Sequence, residues 1–264
     1  MFVRPQRRTV DGVTFDVASA AYDRFMGRYS APLATEFAGW AGVRRGDRVL
    51  DVGCGPGALT GVLVERAGAA HVVAVDPSAP FVDACRSRFP LVEVHRVPAE
   101  QLPFADGIFD HALAQLVVHF MQDPVTGLAE MARVTRRHGQ VAACVWDLAG
   151  DRSPLSPFWS AARRLDPRVV DESERAGARE GHLAELALEA GLLEVEAAEL
   201  SVTVAHPDFE EWWEPYTFGV GPAGDHVAAL DPAGREELRE ECRLCFPDGP
   251  FEVTAVAWAV RGRT

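Results

Sequence analysis

The chain has 264 residues, of which 48% are hydrophobic and 25% are charged. These proportions are typical of a globular protein, and they exclude a chain that is mainly disordered or collagen-like. With 39 acidic and 26 basic residues, the formal net charge is −13. That balance argues against a broad nucleic-acid-binding face, because such a face needs clustered positive charge.

The sequence also argues against a membrane protein and a secreted one. It contains no apolar run of about 18 residues, so we expect no transmembrane helix and no membrane partner. Residues 1–8 are charged and no apolar stretch follows them, so we expect no secretory signal. The five cysteines are an odd number, which favours a reducing, cytoplasmic setting. Cys242 and Cys245 form an isolated C-x-x-C pair, and we predict no metal site.

Hydrophobic periodicity predicts an alternation of helices and strands. The predicted helices are 17–40, 58–67, 78–89, 124–137, 184–190 and 232–245. The predicted strands are 48–52, 71–75, 92–97, 109–116, 140–145, 194–205 and 251–260. Such alternation indicates an α/β fold, a doubly wound, mostly parallel sheet of seven strands with helices on both faces, and the late strand pair indicates an antiparallel C-terminal strand. We expect a helical lid at 1–40, and a domain at 41–264 with a substrate-covering insertion at about 148–250.

The strongest motif is a glycine-rich loop between the first strand and the helix after it. Residues 49–57 read VLDVGCGPG, with glycines at alternate positions of the turn. Glycine lets the backbone adopt unusual angles and lets a ligand lie against it, and the next helix presents free N–H groups. Asp76 ends the second strand about 20 residues later, where a carboxylate can accept both hydroxyl hydrogens of a ribose. The pattern predicts an adenosine-type cofactor at the carboxyl ends of the strands.

The loop by itself leaves two cofactors open. Gly53, Gly55 and Ala58 also satisfy the alanine variant of the nicotinamide fingerprint. An oxidoreductase would need a hydride-transfer partner such as a Tyr-x-x-x-Lys pair, and the chain contains no lysine.

Further motifs carry a family resemblance. Residues 49–57, 73–76, 99–110 and 131–145 together resemble the class I S-adenosylmethionine-dependent methyltransferases, in particular the bacterial small-molecule enzymes of methyltransferase type 11. The run from Tyr22 to Ser30 is similar to the N-terminal segment of many members. The resemblance implies a Rossmann-like fold and S-adenosylmethionine as cofactor, with S-adenosylhomocysteine as product. It also implies a small-molecule acceptor, methylated on oxygen, nitrogen or carbon by in-line displacement, and a monomer or homodimer.

The resemblance also implies which residues hold the cofactor. Asp76 would bind the ribose hydroxyls, Arg28 could pair with the cofactor carboxylate, and Gln115 would lie near the sulfonium. The full set of implied cofactor contacts is Tyr22, Arg28, Asp51, Gly53, Cys54, Gly55, Gly57, Asp76, Pro77, Ala99, Glu100, Gln101, Gln115 and Leu116.

Aromatic residues are expected to build the acceptor pocket, because concave sites are lined mainly by apolar groups. The candidates are Trp146, Phe158, Trp159, Trp213 and Tyr216. An oxygen acceptor would need a general base, and His119, after the fourth strand, is our candidate, with His206 a weaker one. For His119, the alternative is a loop histidine that hydrogen-bonds only the backbone. For the whole protein, the alternative is a non-catalytic cofactor-binding protein on the same fold. Many methyltransferases that act on amide or base nitrogens carry an Asn/Asp-Pro-Pro-Tyr/Phe motif after the fourth strand. Residues 115–118 read QLVV instead, which disfavours such acceptors.

Overall fold

A computed structural model describes residues 23–264, so Tyr22 and the first part of the predicted lid lie outside the described residues. The strands are β1 (Val49–Val52), β2 (Val72–Val75), β3 (Glu93–His95), β4 (Phe109–Gln115), β5 (Thr135–Trp146), β6 (Leu193–His206) and β7 (Phe251–Arg263). The α-helices are α1 (Arg28–Trp40), α2 (Ala58–Ala67), α3 (Ala79–Arg88), α4 (Pro124–Val134), α5 (Ser156–Leu165), α6 (His182–Glu189), α7 (Phe209–Trp213), α8 (Gly221–Ala229) and α9 (Pro232–Arg243).

All seven strands form one sheet in the order β3-β2-β1-β4-β5-β7-β6. The first five in this order pair in parallel, and β7 is antiparallel to both of its neighbours. The predicted α/β class, seven strands and antiparallel C-terminal strand are therefore confirmed. Since β7 is antiparallel to both β5 and β6, those two strands run in the same direction, and their carboxyl ends point to the same side of the molecule.

Helices cover both faces of the sheet because the buried strands carry apolar side chains on both sides. Within β1, Val49 packs with α1 and α2, whereas the next residue, Leu50, packs with α4. Leu33 and Phe37 bury one face of α1 completely. The sheet is thus the middle layer of a three-layer core.

The predicted helix 124–137 is three residues too long. α4 ends at Val134, and Arg136 and Arg137 belong to the start of β5. The physical reason is capture of the last helical groups by the segment before β4. The N–H of Gly107 donates to the Arg133 carbonyl (3.0 Å) and that of Ile108 to the Val134 carbonyl (2.9 Å), so the chain turns into the sheet there.

A layer of short helices lies beyond the carboxyl ends of the parallel strands, within the predicted insertion. β6 is part of the sheet and divides that insertion into residues 147–192 and 207–250. We call α5, α7, α8, α9 and the 3₁₀ turn Glu214–Phe218 the cap. Between Asp23 and Gly27 the lid forms a short π-helical turn that leads into α1. None of the helices in residues 23–264 is long and apolar enough to cross a membrane.

Candidate active site

The glycine-rich loop is tied to the carboxyl end of β2. The N–H groups of Gly53 and Cys54 both donate to the carbonyl of Val75, at 2.7 and 3.0 Å. The carboxylate of Asp76 then accepts the N–H of Gly55 at 2.9 Å on Oδ2 and that of Ser78 at 2.8 Å on Oδ1. These bonds place the loop, the acid and the start of α3 side by side.

The three glycines of the loop serve different purposes. All have positive φ, +71° at Gly53, +52° at Gly55 and +98° at Gly57, a region that side chains disfavour. A Cβ on Gly53 would overlap the side chain of Val117, and one on Gly57 would lie 2.6 Å from the ring of Phe89. Among residues 23–264, a Cβ on Gly55 would meet nothing within 4 Å. Packing requires the outer two glycines, whereas the space over Gly55 is open to a ligand.

Asp76 fits a ribose diol by its unused hydrogen-bonding capacity. A carboxylate offers about four lone-pair sites, and the two N–H groups occupy one on each oxygen. One further site therefore remains on each oxygen, which matches two neighbouring hydroxyl groups. Burial raises the pKa of Asp76 to about 6, while the bonds from Ser78 and Gly55 act against that rise. The group is mostly ionised above that pH, ready to accept hydrogen bonds.

Asp51 lies in β1 beneath the loop and already has a protein partner. Its side chain is 1% exposed, and its Oδ2 accepts the hydroxyl of Thr60, on α2, at 2.6 Å. Burial raises the pKa of Asp51 to about 7. Cys54 is also buried, and its thiol donates to the Gly55 carbonyl. The Thr60 bond braces the loop from below.

The end of β4 contributes Gln115 and Leu116. Gln115 is buried, and its Nε2 donates to the carbonyl of Ser30 on α1 at 2.9 Å. Leu116 has φ of +59°, which turns the chain so that Val117 packs on Gly53. α1, the glycine loop and the β4 turn are thereby brought together. A cofactor role for Gln115 and Leu116 stays a prediction.

The residues expected at the adenine edge contact other parts of the chain. Ala99 is buried in the α4-side core, and Gln101 is exposed. Glu100 Oε1 accepts the N–H groups of Gln122 and Asp123, at 2.8 and 3.3 Å, and so fixes the turn before α4. The carbonyl of Pro77 accepts Arg96 Nε at 3.1 Å. An adenine role for these four residues stays a prediction.

Arg28, expected at the cofactor carboxylate, pairs here with Glu211 of the cap. The same glutamate is part of a buried network with Tyr29 and His206. Nδ1 of His206 lies 2.7 Å from Glu211 Oε2, and Nε2 lies 2.8 Å from the hydroxyl of Tyr29. Nδ1 also lies 3.1 Å from Nη1 of Arg28, which can only donate, whereas the carboxylate can only accept. The shorter contact, with Glu211, assigns the ring hydrogen to Nδ1, and Nε2 then accepts the Tyr29 hydroxyl hydrogen. Burial lowers the pKa of His206 and raises that of Tyr29, so both groups are neutral at pH 7.

His119 lies in the 3₁₀ turn Val118–Phe120 after β4, where sequence reasoning placed it. Its side chain is buried, and its Nδ1 has no hydrogen-bond partner within residues 23–264. Burial, with a smaller contribution from the charge of Arg175, lowers the pKa of His119 to about 3. The ring is therefore neutral, and a weak proton acceptor.

Four of the five predicted pocket aromatics pack together in the cap. Phe158 stacks on Tyr216 with ring centroids 4.7 Å apart, and lies 5.0 Å from Trp159 and 6.5 Å from Trp213. Trp146, at the end of β5, is buried in the same hydrophobic core. A cavity of about 10 Å³, room for one water molecule, lies between lid and cap with Tyr29, His206 and Tyr216 in its wall.

Tyr29 and Glu211 were not predicted as site residues from the sequence, and His206 was predicted only as the weaker base candidate. Tyr29 has the spacing of an apolar helix stripe, which hides its hydroxyl. His206 ends a late strand, and the direction of β6 cannot be read without the sheet order. Ser30, the partner of Gln115, carries no sequence signal because the contact is made by its backbone carbonyl.

Unpartnered polar atoms concentrate at this edge of the sheet. Buried side-chain N and O atoms nearly always have a hydrogen-bond partner, so each exception needs an explanation. Of the seven exceptions among residues 23–264, four lie here: Arg28 Nε, Gln115 Oε1, His119 Nδ1 and Trp146 Nε1. A polar ligand between the loop, the β4 turn and the lid would explain them.

Comparisons with known proteins agree with this geometry. A family profile described as a methyltransferase domain matches residues 50–143. An uncharacterised methyltransferase of Mycobacterium tuberculosis is 36% identical over 140 residues, which cover 53% of this chain and 54% of the relative. An uncharacterised protein of Mycobacterium bovis is 30% identical over 241 residues, 84% of each chain. The chain spans about half the length of several curated relatives that it matches.

Solved structures share the fold at low sequence identity. Geranyl diphosphate C-methyltransferase from Streptomyces coelicolor, in complex with Mg²⁺, geranyl diphosphate and S-adenosylhomocysteine, superposes with a TM-score of 0.54 at 14% identity, over 90% of this chain and 80% of that one. The likeness extends the shared architecture beyond the matched domain to most of the chain.

Proposed function

The chain belongs to the class I S-adenosylmethionine-dependent methyltransferases, and on that premise we propose that it transfers the methyl group of S-adenosylmethionine to a small-molecule acceptor. The observation that carries the proposal is Asp76, whose carboxylate keeps one open acceptor site on each oxygen beside the open space over Gly55. The bound cofactor supplies a methyl group activated by a positively charged sulfur.

The chain's own residues would hold the cofactor along the loop and the β4 turn. Asp76 would accept the ribose hydroxyls, and the backbone at Gly53 to Gly57 would lie against the methionine part. The unpartnered Gln115 Oε1 can accept a hydrogen from the cofactor's ammonium group. Arg28 could pair with the cofactor carboxylate only by leaving Glu211 or by sharing its guanidinium, whose Nε has no partner within the described residues.

The cap supports a small apolar or aromatic acceptor. Its packed rings lie beyond the carboxyl edge of the sheet, next to Tyr29 and His206. The structurally similar geranyl diphosphate C-methyltransferase is named for a small-molecule acceptor, which agrees with the proposed size of the acceptor. The net charge of −13 disfavours nucleic acid as acceptor.

An acceptor that must lose a proton needs a base, and the buried network offers one. Tyr29 would take the acceptor proton on its hydroxyl oxygen while its own proton passes to His206 Nε2. The resulting imidazolium would lie 2.7 Å from Glu211 Oε2, which stabilises it, and 3.1 Å from Arg28 Nη1, whose charge opposes it. Tyr29 lies next to Ser30, whose carbonyl bonds the end of β4, so the network adjoins the cofactor side of the sheet. His119 is the second candidate, and its strongly lowered pKa makes it the weaker base.

Calorimetric titration with S-adenosylmethionine, S-adenosylhomocysteine and NADH tests the function. We expect micromolar binding of the two sulfur nucleosides and none of NADH. Binding of NADH instead would support an oxidoreductase. Binding of the nucleosides without product in a broad acceptor screen would favour a non-catalytic cofactor-binding protein.

The base is tested with any phenol or alcohol that the screen identifies. We expect Tyr29→Phe and His206→Gln to slow methylation by about 10²–10⁴-fold without changing the affinity for S-adenosylhomocysteine. His119→Gln is the matched variant at the other candidate, and an equal or larger loss there would assign the base to His119. An acceptor that is already ionised should be methylated at similar rates by all three variants.

A further inference from the structure

A second cavity lies at the opposite end of the sheet from the glycine loop. It has a volume of about 400 Å³, within the range of small-molecule sites. Its wall is formed at the amino ends of β1, β4 and β5 and by the end of β7. None of the residues assigned above to cofactor or acceptor lines it.

A row of three polar side chains crosses the sheet in this cavity. His111 on β4 is the register partner of Gln140 on β5, and Gln140 is the partner of Arg263 on β7. Directly opposed residues of neighbouring strands place their side chains on the same face of the sheet. An imidazole, an amide and a guanidinium therefore line one wall together.

Two atoms of this row are buried without a partner. They are His111 Nδ1 and Gln140 Nε2, two of the seven such atoms in residues 23–264. His111 Nε2 lies 3.2 Å from Asp47 Oδ2, so that nitrogen carries the ring hydrogen and Nδ1 is a bare acceptor. Burial lowers the pKa of His111, which keeps the ring neutral at pH 7. The wall thus offers one acceptor next to one amide donor.

The charge of the cavity contrasts with that of the whole chain. Four arginines and three carboxylates line it, against a net charge of −13 for the protein. Arg261 is engaged by Glu196 (2.6 Å) and by the carbonyl of Trp40 (2.7 Å), and Arg136 pairs with Asp110. Arg263 Nε lies 3.9 Å from Glu194 Oε2, and Arg263 Nη1 donates to the carbonyl of His138 at 3.0 Å.

The remaining arginine, Arg44, has no carboxylate within salt-bridge distance in the described part of the chain. Arg44 and Arg263 are thus the two guanidinium groups best able to receive a ligand's negative charge.

We propose that this cavity is a binding site for a small oxyanion that also carries a hydroxyl group, either a phosphate monoester or a hydroxycarboxylate. Arg44 and Arg263 would bind the oxyanion, with the Gln140 amide as a further donor. The ligand hydroxyl would donate to His111 Nδ1. Guanidinium groups bind carboxylate and phosphate oxygens with equal ease, and so the two sources share one chemistry.

Calorimetry with the full chain tests the site with four probes: glycerol 3-phosphate, D-glycerate, inorganic phosphate and glycerol. We expect glycerol 3-phosphate or D-glycerate to bind about tenfold more tightly than inorganic phosphate, the effect of one added hydrogen bond, and glycerol not to bind. The tighter of the first two identifies the ligand class. Absence of binding by both at millimolar concentration would overturn the proposal.

Variants separate this site from general attraction of anions. Arg44→Ala should weaken the binding of glycerol 3-phosphate and inorganic phosphate at least tenfold, whereas Arg235→Ala, an exposed arginine on α9 away from the cavity, should change neither. His111→Phe should lower the affinity for glycerol 3-phosphate to that for inorganic phosphate. Because His111→Phe also deprives Asp47 of its partner, Gln140→Leu serves as a second variant, expected to weaken both ligands. Equal effects of Arg44→Ala and Arg235→Ala would reject the site.

The affinity for S-adenosylhomocysteine provides the fold control. It should be unchanged in Arg44→Ala, His111→Phe and Gln140→Leu, because these residues lie at the other end of the sheet. It should also be unchanged in Arg235→Ala, because that side chain is exposed on α9. The test therefore does not depend on the proposed methyl transfer: either result can hold whether or not the protein is catalytic.

Discussion

Two buried aspartates at one sheet edge have different tasks because their partners differ. Asp51 is bonded to the Thr60 hydroxyl and holds the glycine loop from below. Within residues 23–264, Asp76 is bonded only to the backbone, through Gly55 and Ser78, and keeps acceptor capacity on both oxygens. Both aspartates were predicted from the sequence to contact the cofactor. What distinguishes Asp76 from Asp51 is its unused acceptor capacity, which depends on the hydrogen bonds of the folded site.

Asp76→Asn should weaken the binding of S-adenosylhomocysteine by about 5- to 150-fold, which corresponds to about 1–3 kcal/mol. The amide keeps the size of the side chain but replaces one acceptor oxygen with a donor, so one ribose hydroxyl loses its partner. Asp83→Asn, on the exposed side of α3, is the matched control and should leave the affinity unchanged. Equal affinity of Asp76→Asn and the unaltered protein in calorimetry would remove Asp76 as ribose ligand.

Asp51→Asn should change how the stability depends on pH. Burial raises the pKa of Asp51 to about 7, so between about pH 4 and 7 the folded state binds a proton that the unfolded state releases. The contribution of Asp51 to stability is therefore complete below pH 4 and is lost as the pH rises through 7. Between pH 4 and pH 8, the free energy of unfolding of Asp51→Asn should rise by roughly 2–4 kcal/mol relative to that of the unaltered protein.

Urea unfolding of the cofactor-free protein at pH 5 and pH 8 measures this difference. The free energy of unfolding of Asp51→Asn, relative to that of the unaltered protein, should be higher at pH 8 than at pH 5. Stability curves that stay parallel across this range would show that Asp51 is ionised at an ordinary pKa.

At the scale of elements, strand direction decides which residues meet. β6 runs with β5 because β7 separates them and is antiparallel to both. His206, the last residue of β6, therefore lies at the edge that carries the loop, and α1 brings Tyr29 to it. Helix and strand positions followed from periodicity, but the end of α4 did not, since it depends on the bonds from Gly107 and Ile108.

Gly55→Val should abolish cofactor binding while the chain still folds. A side chain at Gly55 would occupy the open space over the loop, and the positive φ adds strain. Gly249→Val is a matched control, because Gly249 also has positive φ (+89°), has nothing within 4 Å, and lies in the turn before β7. Both variants should lose similar stability in thermal unfolding, whereas calorimetry should detect loss of S-adenosylhomocysteine binding only for Gly55→Val. Normal binding by Gly55→Val would place the cofactor elsewhere.

At the scale of the whole molecule, the sheet separates two polar regions. The carboxyl edge collects the glycine loop, the lid and the cap, whereas the amino edge holds the arginine-lined cavity. At the carboxyl edge, Gln115 bonds α1 and Arg28 bonds the cap. We therefore expect a ligand at that edge to contact parts of the chain that are far apart in sequence, and its binding energy to stabilise the whole fold.

S-adenosylhomocysteine at about 100 times its Kd should stabilise the protein by about 2.7 kcal/mol, since it binds only the folded chain. For a chain of this size that corresponds to a rise in Tm of about 5–10 °C. Differential scanning calorimetry measures the rise. Asp76→Asn should show a much smaller one at the same ligand concentration, and an equal rise in both proteins would mean that the nucleoside binds at another place.

The sequence by itself determined the α/β class, the seven strands, the loop and the acid after β2, because these depend on local periodicity and on glycine spacing. It also determined the family, since the motifs occur in order along the chain. The tertiary structure alone decided the Tyr29–His206–Glu211 network, the pairing of Arg28 with Glu211 and the row from His111 to Arg263. These depend on strand order and register, which bring together side chains that are distant in sequence, and no local pattern encodes that proximity.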